Sequence, residues 1–367
     1  AMIKTQAKIS DACGVLGMIN ERGKPISGAE PLKAMEAMAP RYNGLGAGYV
    51  GYGIYPKYKD FYALHMMFNN EESKIAVEDL LRSSVDIEHA EPIPTNKVGG
   101  IQDSPLLWRY FINPWPAEQA SHQTLDPDDL IVDLVSRINS EFEGATVLSS
   151  GRDMGVFKAS GYPWDVAKFY RIDEYEAYIW LGHGRYPTNT PGWWGGAHPF
   201  NILSWSIVHN GEISSYGTNK RYVEQFGYQC VCLTDSEVLV YLFDLLVRRH
   251  ELPIEVACTA ISPPFWKGTD KLGAEEKKLY QAIRITYQDA LVNGPFSTIV
   301  ATANDIPCLI GLTDRLKLRP LVAARNGDEI YVASEECAIK AICSEPEAVW
   351  ALKARIPLIV SVRCDVA

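Results

Sequence analysis

Residues 177–213 read AYIWLGHGRYPTNTPGWWGGAHPFNILSWSIVHNGEI, and the expected fold turns on this stretch. An apolar run at 177–182 has the length and composition of a strand and enters a loop dense in Gly, Pro, Asn and Thr. A second run at 202–209 ends directly on Asn210-Gly211, a hairpin signal. Outward from it, short strand-like runs recur at 13–19, 46–55, 61–68, 146–149, 297–302, 307–312, 319–324, 329–333 and 358–362. Asn304-Asp305 and Asn326-Gly327-Asp328 separate neighbouring runs, so much of the sheet is expected to be antiparallel. Helical periodicity marks 29–39, 126–142, 236–247 and 275–291, with Leu130, Leu134 and Ile138 on one face of the second. Strands and helices in separate clusters predict an α+β layered fold. Residues 86–127, rich in Pro, Asn, His and Gln, read as an irregular insertion in one domain spanning 13–367.

Composition sets limits on function. The 367 residues are 47% hydrophobic and 22% charged, as in an ordinary soluble globular chain. A net charge of −10 without a Lys/Arg block argues against nucleic acid as a partner. The longest apolar stretch, 238–247, is interrupted by Asp244 and is too short to span a bilayer, so no membrane role is expected. Residues 3–12 lack the apolar run of a signal peptide, and Ala1 before Met2 reads as a cloning scar. Eight scattered cysteines suit a reducing cytoplasm. Cys230-x-Cys232 and the Cys337/Cys343 pair lack zinc or iron–sulfur spacing, so buried structural thiols are expected there. His183, His198 and His209 fit no compact metal motif and read as satisfied loop histidines.

Four segments carry groups that acyl transfer needs. Cys13-Gly14-Val15 puts a cysteine at the head of an apolar strand. Residues 182–190 (GHGRYPTNT) form a loop with an arginine. His209-Asn210-Gly211-Glu212-Ile213 and Thr234-Asp235-Ser236-Glu237 complete the set. Each alone has a plain reading: a buried thiol, a surface guanidinium, a hairpin turn and a helix capping box.

Together they resemble the class II glutamine amidotransferases of the N-terminal-nucleophile hydrolase superfamily, most closely the amidotransferase domain of glutamate synthase. The resemblance runs from Cys13 to about Ile342. It is carried by residues 185–191 (RYPTNTP), Trp194, 197–200 (AHPF), 209–213 (HNGEI), 314–321 (DRLKLRPL) and 331–335 (YVASE). It implies a four-layer αββα sandwich of two antiparallel sheets between helical layers, and no metal or other cofactor.

By the same resemblance, Cys13 is the nucleophile that forms a γ-glutamyl thioester, with its own α-amine as base. An α-amine has a pKa near ~7.7–8, against ~10.4 for lysine, which suits it to that task at neutral pH. Asn210 and Gly211 match the oxyanion donors, each worth roughly 3–4 kcal/mol in comparable enzymes. Arg185 matches the residue that forks onto the glutamine α-carboxylate, and Asp235 the one that pairs with its α-ammonium. Arg41, within 40–44 (PRYNG), and Thr188 are further candidates for the pocket; the neighbours of Arg41 depart from the family's His-Arg-Gly.

A second departure is that residues 1–12 precede Cys13, whose nitrogen is then an amide without a basic lone pair. They are expected to form a pro-segment. The sequence also ends soon after the last expected strand, with no flavin domain, cysteine cluster or phosphoribosyl-transfer portion. The expectation is therefore a glutaminase subunit acting on L-glutamine. It would supply ammonia to a separate synthase subunit that carries flavin and iron–sulfur centres, of the glutamate synthase or N-methylglutamate synthase kind. An N-terminal-nucleophile amidase for another amide, and an unprocessed scaffold subunit, remain as alternatives.

Overall fold

A computed structural model describes residues 12–114, 126–186 and 192–363. The strand Gly14–Asn20 is buried along its whole length. Such a run needs cover on both faces, and it has it. It lies inside a seven-stranded antiparallel sheet, between Ile179–Gly184 and Glu329–Ala333. The sheet continues through Ala47–Tyr52 to Met154–Ala159 on one side, and through Val322–Asn326 to Ala348–Ala351 on the other.

A five-stranded antiparallel sheet packs against it. Its order is Phe200–Ile202, Trp205–Gly211, Phe296–Thr302, Cys308–Thr313 and Leu358–Ser361. The sheets meet closely at Gly17, where a Cβ would lie 2.7 Å from Ile299 Cγ2, so a side chain there would push them apart. Helices Ala29–Glu36, Pro163–Phe169 and Glu336–Ile342 cover the outer face of the larger sheet, and Asp235–Phe243 covers the smaller, backed by Tyr216–Glu224. This is the αββα sandwich expected from the resemblance.

The 86–127 segment requires a correction. Val85–Pro92 and Leu106–Pro114 are regular strands, paired antiparallel in a third sheet with Tyr62–Phe68 and Ala145–Ser149. Helices Glu71–Ser84 and Pro127–Glu141 pack on that sheet. The strands are hard to read because Val85–Pro92 lies at an edge, where after Val85 partly buried and exposed residues alternate and Asp86, Glu88 and Glu91 replace an apolar run. A bulge between Ile87 and His89 shifts its pairing register with Leu106–Pro114. Residues 115–125 and the expected pro-segment, apart from Ala12, lie outside the described residues.

No helix among the described residues is long and apolar enough to cross a membrane. Of the four cysteines expected to be buried, Cys230 and Cys343 are, whereas Cys232 is only partly buried and Cys337 is exposed on the Glu336–Ile342 helix.

Candidate active site

Register brings the first two residues together. Gly14 pairs with Gly184 across neighbouring antiparallel strands, so Cys13 and Arg185 leave the larger sheet side by side. The Arg185 N–H donates to Gly46 O at 2.8 Å, which fixes the strand end. From the smaller sheet, Trp205–Gly211 brings Gly211 to the same end, with Asn210 next to it in the strand but not among the cleft-lining residues. Asp235 arrives on the first turn of its helix, whose N-cap Thr234 accepts from Glu237 N–H at 3.2 Å. The expected capping box is not reciprocal, because the buried Glu237 carboxylate instead accepts from Val231 and Cys232 N–H, at 3.1 and 2.9 Å. Burial pushes that carboxyl up to about 6.

Cys13, Arg185, Gly211 and Asp235 line one cleft of about 300 Å³. Tyr186 N–H donates to Cys13 Sγ at 3.3 Å. Burial raises the thiol above its ordinary pKa, opposed by that N–H and by the charges of Arg185, Arg319 and Arg41. Asp235 Oδ2 accepts from Ile213 N–H at 3.1 Å, and Ser236 OγH donates to Oδ1 at 3.3 Å. Asn210 is 1% exposed, and its Nδ2 has no hydrogen-bond partner among the described residues. Gly211 has a reason in its own strand pairing: a Cβ there would meet Pro295 O at 2.1 Å.

Arg41 sits behind the nucleophile rather than among the cleft-lining side chains. Its Nε–H donates to Cys13 O at 3.2 Å, and its guanidinium pairs with Glu335. Thr188 lies outside the described residues. Three contributors were not singled out from sequence: the Tyr186 N–H, Arg319, and Ser334, whose Oγ accepts from Val15 N–H at 3.0 Å. Arg319 and Ser334 fall inside quoted motifs, so the motifs held the signal but not the role.

The three histidines are buried, and two lie on strands rather than loops, His183 on Ile179–Gly184 and His209 on Trp205–Gly211. The His183 and His198 rings stack at 3.9 Å. Ser236 Oγ bridges His198 Nε2 at 2.7 Å and His209 Nδ1 at 3.0 Å. Among the described residues, no group of three or more His, Cys, Asp or Glu could hold a metal ion.

Burial lowers His183 to about 3, and does the same to His65, which sits against Tyr55 OH and Val156 O. The unfolded chain takes up protons at these sites below about 6.5, where the folded chain resists them, so stability is complete above that pH and lost below it. Between pH 7 and 5, each such histidine is expected to remove up to about 2 kcal/mol. Thermal melting should therefore fall by several degrees over that interval; an unchanged melting temperature would contradict the neutral assignment.

With the site described, comparison identifies its class. The family model of class-II glutamine amidotransferases matches residues 137–349. That is more than half of the chain, and the chain belongs to this family. It is 47% identical to an uncharacterized protein of Archaeoglobus fulgidus, over 94% of this chain and 90% of that one. It is 28% identical to an amidophosphoribosyltransferase of Methanocaldococcus jannaschii, over 55% of this chain and 38% of that enzyme. It is 26% identical to the glutamate synthase [NADPH] large chain of Bacillus subtilis, over 50% of this chain but 13% of that one. The last two relatives are thus much longer proteins than the part matched here.

Proposed function

We propose that the protein is a glutaminase that hydrolyses L-glutamine to glutamate and ammonia through a Cys13 thioester. The observation that carries this reading is the pairing of Arg185 and Asp235 with Cys13 in one cleft. Opposite charges lining one cleft suit a free α-amino acid, the guanidinium taking the α-carboxylate and the carboxylate the α-ammonium. Once residues 1–12 are removed, the Cys13 amine takes the thiol proton as Sγ attacks the side-chain amide carbon. Asn210 Nδ2 and the Gly211 N–H stabilise the oxyanion. The amide nitrogen is protonated and leaves as ammonia, and water then cleaves the thioester to glutamate.

The ammonia acceptor is a separate synthase subunit bearing flavin and iron–sulfur centres. A glutamate synthase-like partner is favoured by the similarity to the Bacillus subtilis large chain, with an N-methylglutamate synthase-like partner as the alternative. The clamp disfavours an amidase for amides that lack a free α-amino acid end.

Labelling tests the nucleophile and the clamp together. Diazo-oxo-norleucine, a glutamine analogue, should alkylate Cys13 in processed protein, and glutamine should protect against it. Arg185→Lys should weaken that protection at least several-fold, because a point charge does not reproduce a bidentate fork. Labelling at Cys230 or Cys308 with Cys13 untouched would refute the assignment.

A further inference from the structure

Away from the cleft, one surface runs against the charge of the chain. Phe265 and Trp266, 44% and 49% exposed, open the short helix Trp266–Thr269. Leu316 and Leu318, 62% and 59% exposed, project from a loop organised by the buried Asp314. That carboxylate accepts from Phe296, Leu316 and Leu318 N–H at 3.1, 2.8 and 2.8 Å. Arg315 lies 4.4 Å over the Phe265 ring, and Arg284 lies 3.6 Å over Trp266. A groove of about 580 Å³ is lined by Pro264, Phe265, Gly268 and four cations, Lys267, Lys271, Arg315 and Arg355, with no carboxylate among its lining residues, and the exposed Leu316 follows Arg315 directly in the chain. Among the described residues none of these four, nor Arg284, forms an ion pair, in a chain of net charge −10. Like charges gathered beside exposed aromatic and aliphatic side chains cost stability unless something covers them.

We infer that this groove docks an acidic segment of a partner protein, with carboxylates on Lys267, Lys271, Arg315 and Arg355 and apolar side chains against Phe265, Leu316 and Leu318. A second copy joined face to face here would set cations against cations. A nucleic acid would gain little from the exposed leucines, which the apolar side chains of a protein segment would cover. The groove is tied to the cleft by the 314–319 loop, which exposes Leu318 and then presents Arg319, one of the charges acting on the Cys13 thiol. That the docked partner is the ammonia acceptor rests on the glutaminase reading; the groove does not.

The test measures fluorescence anisotropy of a labelled peptide of alternating Glu and Leu on the full chain. Lys267→Glu/Lys271→Glu, at exposed positions, should weaken binding about 10-fold or more, as should raised salt, with the melting temperature retained. Leu316→Ser should weaken it several-fold. Unchanged affinity in the double variant would overturn the proposal, as would tighter binding of a single-stranded oligonucleotide. Sedimentation that showed self-association abolished by the double variant would overturn it in favour of a second copy. Glutamine hydrolysis is measured separately on processed protein: its absence, with peptide binding still mapped to the groove, would remove the glutaminase reading and leave the docking surface standing.

Discussion

Freed at the Cys13 nitrogen, the protein is expected to hydrolyse glutamine about 10²–10⁴-fold faster than the chain carrying residues 1–12, the range that a positioned general base contributes. The hydrogen bond at Sγ comes from the Tyr186 N–H, and no side-chain base among the described residues bonds to the sulfur. Burial holds the thiol protonated, so little thiolate exists without a base. The neighbouring imidazoles each use one ring nitrogen elsewhere, His183 Nε2 donating to His209 O at 3.0 Å and His198 Nε2 and His209 Nδ1 sharing Ser236 Oγ, while their other ring nitrogens have no hydrogen-bond partner among the described residues. A chain expressed as Met-Cys13, with its initiator removed, supplies the missing amine. Arg185, Arg319 and Arg41 act on the thiol and should also disfavour an ammonium beside it. The rate should therefore rise with pH through a group at or below the ordinary α-amine value of about 7.7–8.0. Equal rates with and without residues 1–12 would require another base. No hydrolysis by the freed form would leave the family fold serving as a scaffold.

Much of the sandwich was legible because its strands are uninterrupted apolar runs, as in Gly14–Asn20, where two layers cover the chain. Met154–Ala159 is not legible as such a run, for the opposite reason. It carries Lys158, fully buried, with Nζ donating to Gly195 O at 2.9 Å, and burial lowers it to about 8. A lysine at that position reads as a strand end until its carbonyl acceptor is known. The apolar run at 319–324 starts ahead of its strand, which begins at Val322, because Asp314 draws the 316 and 318 amides into a loop.

At the site, side chains were easier to read than backbone. Cys13, Arg185 and Asp235 stand in motifs; strand register sets the first two side by side, and the start of the Asp235–Phe243 helix brings the third to the same cleft. The Tyr186 N–H that meets Sγ is a main-chain group, which any residue but proline could supply at that position. Arg41 shows the converse. Its type was legible, but its attachment to the Cys13 carbonyl and Glu335 depends on a long-range fold contact that its altered neighbours do not encode.

Asn210→Ala should lower kcat about 10²–10³-fold, equivalent to roughly 2.7–4 kcal/mol of lost transition-state stabilisation, with KM little changed. A buried amide donor without a partner is costly to keep, by about 1–3 kcal/mol, and Asn210 Nδ2 is such a donor among the described residues. A donor of that kind gains most when negative charge develops on the substrate, so its hydrogen bond should be stronger to the oxyanion than to the ground-state carbonyl. The same reasoning separates catalysis from stability. Alanine removes an unsatisfied group as well as a few packed atoms, so the melting temperature should move little while kcat collapses. Asn210→Asp sharpens the test, because an ionised carboxylate only accepts hydrogen bonds and would face the developing oxyanion with like charge. It should lose at least as much activity as the alanine variant despite its closer shape. A kcat within a few-fold of the parent in either variant would remove Asn210 from the oxyanion site and leave the Gly211 N–H to act without it.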